Sequence, residues 1–176
     1  MNKAELRKYI RRLKVQNQAT AAADSERIMR VLASDDYFVR AKTVLLYHSL
    51  PDEVSTHDFI EYWCQKKQVL LPVVVGDNLE LRHYQGADEL MVGAYGIAEP
   101  TGSLFTDYDQ IEFVAVPGMA FDLHGNRLGR GKGCYDRLLP NLTNAYKVGI
   151  CFPYQIVDEV PTEATDIPMD KVIKIE

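Results

Sequence analysis

Cysteine is scarce in this chain, and its arrangement argues against two kinds of covalent or metal cross-link. Three cysteines occur among 176 residues, at Cys64, Cys134 and Cys151. Their number is odd, and no two of them stand at C-x-x-C spacing. A disulfide framework or a structural zinc site needs paired or closely spaced cysteines. We therefore expect reduced thiols and a cytoplasmic protein.

Long apolar runs and an excess of positive charge are also missing. No segment approaches the ~18 consecutive apolar residues that a membrane span needs. The first residues, MNKAELRKYIRRLKVQ, are charged throughout and lack the apolar stretch of a signal peptide. The net charge is −5, whereas nucleic-acid binders usually carry a basic patch on a basic domain. We expect neither a membrane nor a nucleic acid as a partner.

The chain does have the length and composition of one globular domain. Hydrophobic residues make up 47% and charged residues 26% of the sequence, which is ordinary for such a domain. No internal repeat or low-complexity linker divides it. We expect a single domain over residues 1–176, large enough to bury a core, and a monomer.

Apolar periodicity predicts alternating helices and strands. The predicted helices cover residues 3–16, 21–32 and 52–67, and a short helix is expected within residues 134–142. The predicted strands cover residues 43–48, 68–75, 79–84, 111–118, 146–151 and 171–175. Near-continuous apolar strands separated by helices favour a parallel sheet that is covered on both faces. The expected fold is α/β, with a mostly parallel sheet between two layers of helices.

Polar segments follow two of these strands. SLPDE occupies residues 49–53, and PGMAFDLHGNRLGRGKG occupies residues 117–133. Ligands of open α/β sheets bind beyond the carboxyl ends of the strands. These two segments are therefore the predicted borders of a binding site.

The stretch RLGRGKGCYDR, residues 127–137, alternates glycine with cations. It does not match the P-loop, because Asn126 stands where the first glycine belongs and Gly133 follows Lys132 where Ser or Thr belongs. It does not match the dinucleotide fingerprint either, because Cys134 replaces the third glycine. The physical basis of those motifs still applies, since glycines let backbone N–H groups approach an anion and cations neutralise it. The pattern predicts phosphate binding, and a glycine-rich surface turn with solvated charges is the alternative.

The longer segment VPGMAFDLHGNRLGRGKGCYDRLL, residues 116–139, resembles the signature of the 5-formyltetrahydrofolate cyclo-ligase family. Shorter pieces of the family pattern follow in the right order over nearly the whole chain. They are KAELR (3–7), PDEVST (51–56), YGIAEP (95–100) and YQIVDEVPTEATDIPMD (154–170). Cys134 and Thr165 depart from the pattern, since the family commonly has tyrosine and histidine there.

The resemblance implies an ATP- and Mg²⁺-dependent ring closure. The substrate would be 5-formyltetrahydrofolate, and the products 5,10-methenyltetrahydrofolate, ADP and phosphate. Transfer of the γ-phosphoryl group to the formyl oxygen would give an iminium phosphate. Nitrogen ten of the folate would then attack the formyl carbon, and phosphate would leave. The protein's task in such chemistry is mostly positioning and charge neutralisation.

The resemblance also implies roles for the basic residues and the glycine loop. Lys3 and Arg7 would reach the nucleotide phosphates, with Arg7 also near the folate. Arg130 and Lys132 would lie closest to the reacting centre and act in catalysis. The full implied ATP-binding set is Lys3, Arg7, Arg127, Gly129, Arg130, Gly131, Lys132, Gly133, Cys134 and Tyr135. A solvated basic face is the alternative for the first helix.

Carboxylates and aromatic residues complete the implied site. Asp136 and Asp166 would hold Mg²⁺ together with phosphate oxygens. Glu53 would accept hydrogen bonds from the pterin. The implied folate-binding set is Arg7, His48, Glu53, Tyr95 and Tyr135. The alternatives are structural: helix-terminal charge for Asp136 and Glu53, a turn aspartate for Asp166, and core side chains for His48 and Tyr95.

Other functions remain open from the sequence. The same loop would serve a kinase or ATPase that acts on another small molecule. A folate- or nucleotide-binding module without turnover is a second alternative. RNA binding is disfavoured, because the chain is acidic and lacks a platform of aromatic and basic residues.

Overall fold

The computed structural model of the protein describes residues 1–93 and 96–176. Within these ranges the chain forms five α-helices and eleven strands. The helices are α1 Lys3–Gln16, α2 Ala21–Ala33, α3 Asp36–Arg40, α4 His57–Trp63 and α5 Cys134–Leu138. The strands are β1 Thr43–Leu45, β2 Gln68–Val75, β3 Asn78–Tyr84, β4 Leu90–Val92, β5 Ala98–Pro100, β6 Leu104–Phe105, β7 Phe113–Pro117, β8 Ala120–Phe121, β9 Arg127–Leu128, β10 Tyr146–Ile150 and β11 Lys171–Val172. No helix in the described ranges has both the length and the apolarity to cross a membrane.

Seven strands form the central sheet in the order β11-β10-β7-β1-β2-β3-β6. The four pairings from β11 to β2 are parallel. β3 returns antiparallel to β2 through a tight turn, and β6 pairs antiparallel with β3. The prediction of a mostly parallel α/β sheet is confirmed. Two further two-stranded sheets join β4 to β5 and β8 to β9.

Strand alternation divides the core between the two faces of the sheet. Val44 packs with the cluster that includes Ile28, Phe38 and Ile60, from α2, α3 and α4. Leu45, the next residue of β1, packs in the cluster that includes Leu138 of α5 and Leu139. Successive side chains of a strand point to opposite faces, so an apolar run fills both clusters. The predicted three-layer arrangement is confirmed.

Helix α1 packs beside the sheet rather than across it. Its first turn is closed by a capping box between Asn2 and Glu5. Its buried residues Leu6 and Ile10 belong to a third cluster with residues of the β8–β9 hairpin, such as Leu128. The amino-terminal turn of α1 is thereby placed next to the chain that leaves β9.

A buried carboxylate shapes the turn of that hairpin. Asp122 is 0% exposed and accepts hydrogen bonds from the backbone N–H groups of His124, Asn126 and Val160, and from the Asn126 amide. Burial opposes ionisation, but these hydrogen bonds lower the pKa of Asp122. Gly125 in the same turn has φ +88°, and a Cβ there would lie 2.3 Å from the Met169 carbonyl oxygen. Asp122 thus ties the hairpin to the chain near residue 160.

The structure differs from the predicted elements at several boundaries. The helix predicted over residues 52–67 spans only His57–Trp63, and β1 spans Thr43–Leu45 rather than 43–48. The residues between β1 and α4 form a loop that is closed by Ser49 and Thr56. Each hydroxyl accepts a hydrogen bond from the backbone N–H of the other residue, at 3.0 and 3.1 Å. Helix α3 and the short strands β4, β5, β6, β8 and β9 were not predicted, since each has five residues or fewer and no measurable period.

Candidate active site

A cleft of about 1360 Å³ opens beyond the carboxyl ends of β1 and β7. It is bordered by the first turn of α1, the loop after β1, the β2–β3 hairpin, the loop between β9 and α5, and residues 161–167. The two polar segments predicted to border a site, 49–53 and 117–133, therefore face the same cleft. This position follows the rule for open parallel sheets.

One side of the cleft, here called the cationic side, concentrates positive charge in a chain whose net charge is −5. Six basic side chains line it: Lys3, Arg7, Arg127, Arg130, Lys132 and Arg137. Five of them belong to the basic set predicted from the sequence, and Arg137 is an addition. An anionic ligand would find its complementary field here.

The glycine loop, residues 129–133, forms the floor of the cationic side. Gly131 has φ +107° and Gly133 has φ +70°, values that strongly favour glycine. A Cβ at Gly131 would lie 3.6 Å from the Arg7 guanidinium carbon. Helix α5, which begins at Cys134, has only five residues, so its dipole is short. The positive potential therefore comes mainly from side chains rather than from a helix end.

Two arginines hold the ends of this loop through its carbonyl groups. Arg7 Nε donates to the Gly129 oxygen at 2.9 Å. Arg137 Nη2 donates to the Lys132 oxygen at 2.7 Å, and the same guanidinium contacts the Asp77 oxygen in the β2–β3 turn. Arg137 lies in the same motif as the predicted residues. Its role was missed because it acts through the backbone, which no sequence pattern records.

Arg127 lies beneath the loop and is almost completely buried. Its side chain is 6% exposed, and its Nη1 donates to the Pro117 oxygen at 3.0 Å. The guanidinium carbon lies 5.3 Å from the centre of the Tyr135 ring, and Nη2 lies 3.9 Å from Asp136. Burial lowers the pKa of Arg127, and Asp136 opposes that effect. Its Nε–H finds no hydrogen-bond acceptor among the described residues, so an acceptor from a ligand would satisfy it.

Lys3 and Asp166 form an ion pair at the amino-terminal end of α1. Lys3 Nζ donates to Asp166 Oδ2 at 2.8 Å and lies 3.4 Å from Glu163. Burial opposes ionisation of Asp166, but the hydrogen bond from Lys3 and that from the Glu163 N–H lower its pKa. The carboxylate is therefore charged at neutral pH.

The carboxylates fit Mg²⁺ only in company with a phosphate. Asp136 and Asp166 both line the cleft. Within the described part of the chain, however, no group of three or more His, Cys, Asp and Glu side chains is arranged to hold a metal. Mg²⁺ commonly takes one or two carboxylates, completing its shell with phosphate oxygens and water. The donor set here suits that mode and does not form an all-protein cage.

The opposite side of the cleft, here called the apolar side, comes from the sheet. Its lining residues are Tyr47, His48 and Leu50 after β1, Pro72 and Val74 on β2, Leu79 on β3, and Ile97 and Ala98 at β5. His48 stacks on His57, with ring centres 3.9 Å apart. Burial, and then His57, lower the pKa of His48, which favours a neutral ring. Tyr95, predicted to contact the same ligand, lies outside the described residues.

Glu53 stands where the two sides meet. Its side chain is 13% exposed, accepts from the Leu50 N–H at 2.8 Å, and lies 3.6 Å from Arg130. Burial is the largest influence on its pKa, which is raised. Tyr135 is partly buried, and desolvation with the nearby Glu53 charge raises the pKa of its hydroxyl. The structure thus brings a largely buried carboxylate and a neutral phenol to the centre of the cleft.

Comparison with known proteins agrees with this geometry. Residues 1–174 match the model of the 5-formyltetrahydrofolate cyclo-ligase family. The 5-formyltetrahydrofolate cyclo-ligase of Escherichia coli K12 is 35% identical over 144 residues, 77% of this chain and 79% of the relative. The probable 5-formyltetrahydrofolate cyclo-ligase of Schizosaccharomyces pombe is 32% identical over 156 residues, 78% of this chain and 76% of the relative.

A solved structure is similar over almost the entire chain. It is the NMR structure of Aquifex aeolicus 5,10-methenyltetrahydrofolate synthetase, with a TM-score of 0.87 and 36% identity. The match covers 98% of this chain and 89% of the other. The resemblance found in the sequence is confirmed: the chain belongs to the 5-formyltetrahydrofolate cyclo-ligase family.

Proposed function

We propose that this protein converts 5-formyltetrahydrofolate to 5,10-methenyltetrahydrofolate, with ATP consumed as the co-substrate and Mg²⁺ required to bind it. The formyl oxygen attacks the γ-phosphorus, the bond to the β-phosphate oxygen breaks, and ADP leaves. Nitrogen ten then attacks the formyl carbon, loses its proton, and phosphate departs with the formyl oxygen. The names of the family and of the relatives support the folate conversion, and the cleft supports the phosphoryl step.

The cationic side suits the triphosphate. Arg130 and Lys132 project from the glycine loop and would stabilise charge on the transferring phosphoryl group. Lys3, Arg7 and the loop amides from Gly129 to Gly133 would hold the remaining phosphates. The buried Arg127 would give its Nε–H to a ligand oxygen while it supports the loop from below.

Cys134 and Tyr135 would border the nucleotide at the start of α5. Both line the cleft, and Cys134 Sγ lies 4.0 Å from an Arg137 nitrogen. The thiol is smaller than the tyrosine that the family commonly has there. With a thiol at this position, the wall beside the nucleotide would be more open in this chain.

Asp136 and Asp166 would hold Mg²⁺ on the phosphate side of the cleft. Bound Mg²⁺ would neutralise charge shared between the phosphates. Asp166 must exchange part of its contact with Lys3 for the ion, and Lys3 would then be available to a phosphate oxygen. Because Lys3 and Asp166 are 2.8 Å apart, this change of partners requires only a local movement of the two side chains.

The apolar side suits the ring systems of the folate. Glu53 would accept hydrogen bonds from the pterin amino and ring N–H groups, and Tyr135 would contact the folate from α5. His48 and Tyr95 complete the proposed folate-binding set. A neutral His48 ring packs against an aromatic ligand at lower desolvation cost than a charged one.

The observation that carries this proposal is one cleft with a cationic loop on one side and an apolar wall on the other. The test is to mix the protein with 5-formyltetrahydrofolate and MgATP and to follow the near-ultraviolet band of the methenyl product. We expect the band to grow only when ATP is present. ADP without the band would indicate a kinase or ATPase for another acceptor, and binding without either product would indicate a module without turnover.

We also propose that the protein works in the cytoplasm. All three cysteines are free thiols, and Cys151 is buried with its pKa raised to about 12 by burial. Free thiols of this kind persist in a reducing compartment.

A further inference from the structure

Asp52 forms ion pairs with basic side chains from two different elements. Its Oδ2 accepts from Lys14 Nζ of α1 at 2.5 Å, and its Oδ1 accepts from Arg130 Nη2 of the glycine loop at 2.9 Å. Asp52 itself belongs to the loop after β1, next to Glu53. One carboxylate therefore joins three segments that border the cleft. Burial opposes its ionisation, but the hydrogen bonds from Lys14 and Arg130 lower the pKa of Asp52, so the contact is charged at neutral pH.

A contact of this kind helps to order the middle of the glycine loop, where Arg130 also lies 3.6 Å from Glu53. Gly129, Gly131 and Gly133 contribute no side chains to packing, and glycine has the largest backbone freedom to lose. The ends are held through carbonyl groups by Arg7 and Arg137. Arg130 lies between them, and its side chain is 44% exposed. A long exposed side chain samples many rotamers unless a partner selects one.

We infer that Asp52 is a positioning residue that fixes the Arg130 guanidinium at the cleft before the nucleotide binds. The inference rests on the proposed function, in which Arg130 faces the transferring phosphoryl group. A guanidinium that is already placed loses less freedom in the transition state, and the gain appears in the rate. Exposed ion pairs contribute little to folding stability. The effect of Asp52 is therefore expected in turnover and not in the melting temperature.

The test begins with Asp52→Asn, which keeps the shape and removes the charge. At saturating substrates we expect kcat to fall about tenfold, with the KM for 5-formyltetrahydrofolate unchanged. Asp52→Glu restores the charge and should recover most of the rate. Glu26→Gln is the matched control, because it removes a carboxylate that pairs with Arg30 at 3.5 Å on α2, and its kcat should equal that of the unaltered protein.

A double-mutant cycle decides whether Asp52 acts through Arg130. In an Arg130→Ala background, Asp52→Asn should cause no further loss of kcat. A further tenfold loss in that background would overturn the inference. So would an unchanged or increased kcat in Asp52→Asn alone, since an increase would mean that the carboxylate merely competes with phosphate for Arg130.

A measurement without turnover separates this inference from the proposed function. Amide hydrogen exchange of residues 129–133, followed on the millisecond scale in the free protein, should be faster in Asp52→Asn and unchanged in Glu26→Gln. Equal exchange in all three proteins would refute the positioning role. If the unaltered protein forms no methenyl product, the proposed function fails, and the exchange result alone decides the role of Asp52.

Discussion

The two sides of the cleft are built in different ways. The apolar side belongs largely to β2 and β3, whose seven paired positions run from Val69 opposite Tyr84 to Val75 opposite Asn78. The cationic side stands on the first turn of α1 and on loops, and it depends on single polar contacts. Arg7 to Gly129, Arg137 to Lys132 and Arg130 to Asp52 are among the contacts that order its loop.

Because the two sides are built differently, mutations on them are expected to alter different kinetic constants. A change on the apolar side removes ligand contact area and leaves the sheet in place, so it should alter the KM for one substrate. A change on the cationic side removes charge stabilisation or displaces a loop, so it should alter kcat. The contacts that support the loop of the cationic side are therefore part of the active site.

The largest effect is expected from the support under the β8–β9 hairpin. Asp122→Ala leaves several buried N–H groups without an acceptor, which should lower the free energy of unfolding by about 4 kcal/mol. Urea denaturation measures this loss of unfolding free energy, and the exposed Asp88→Ala is the control. Because the pKa of Asp122 is lowered, its contribution is present above the pKa of an unfolded aspartate and is lost as the pH falls through the folded value. A loss no larger than that of Asp88→Ala would contradict the role of this carboxylate.

Next in size is a change within the cationic side. Lys132→Ala should lower kcat about a hundredfold to a thousandfold, because a preorganised charge at the transferring phosphoryl group is lost. The dissociation constant for 5-formyltetrahydrofolate, measured by calorimetry without ATP, should change by no more than about twofold. Lys174→Ala, an exposed lysine outside the cleft, should leave both quantities unchanged. An unaltered kcat in Lys132→Ala would show that the reacting phosphate lies elsewhere.

The fold and the cationic loop could both be predicted from the sequence, because their patterns lie within short stretches of it. The 3.6-residue period of α1 and the alternating glycines of residues 129–133 lie within short windows. The contacts of Asp52 with Lys14 and Arg130 join residues 38 and 78 positions apart, and no local pattern contains them. Most of the apolar side was also missed, since Pro72, Leu79 and Ile97 resemble ordinary strand residues in the sequence, whereas His48 was included in the implied folate-binding set.

At the boundary of the two sides, Glu53→Gln should raise the KM for 5-formyltetrahydrofolate about tenfold to a hundredfold, through loss of charged hydrogen bonds to the pterin. Because burial raises the pKa of Glu53, it takes up a proton at higher pH than an ordinary glutamate. The KM of the unaltered protein should therefore rise on acidification, while that of Glu53→Gln stays flat. Steady-state kinetics across pH measure this difference between the unaltered protein and Glu53→Gln, and the exposed Glu159→Gln is the control.

The stability effect of Glu53 has the opposite sign to that of Asp122. With a raised folded pKa, its contribution is fully present below the pKa of an unfolded glutamate and is lost as the pH rises through the folded value. Glu53→Gln should then be slightly more stable than the unaltered protein at pH 7. Lower stability together with an unchanged KM would assign Glu53 a purely structural role.

The smallest effect is expected on the apolar side. Leu79→Ala should raise the KM for 5-formyltetrahydrofolate about fivefold, equivalent to ~1 kcal/mol of lost apolar contact, and should leave the KM for ATP unchanged. Leu104→Ala removes the same atoms from an exposed position on β6 and serves as the control. If the KM for ATP rises instead, the two ligands occupy the opposite sides from those proposed here.

The central sheet ends on both edges in very short strands. β6 and β11 contain two residues each, so the outermost strands themselves offer a neighbouring copy few unpaired amide and carbonyl groups. Long exposed borders are what allow sheets of separate molecules to join and aggregate. At high concentration, these short border strands should give little support to edge-to-edge association of two copies.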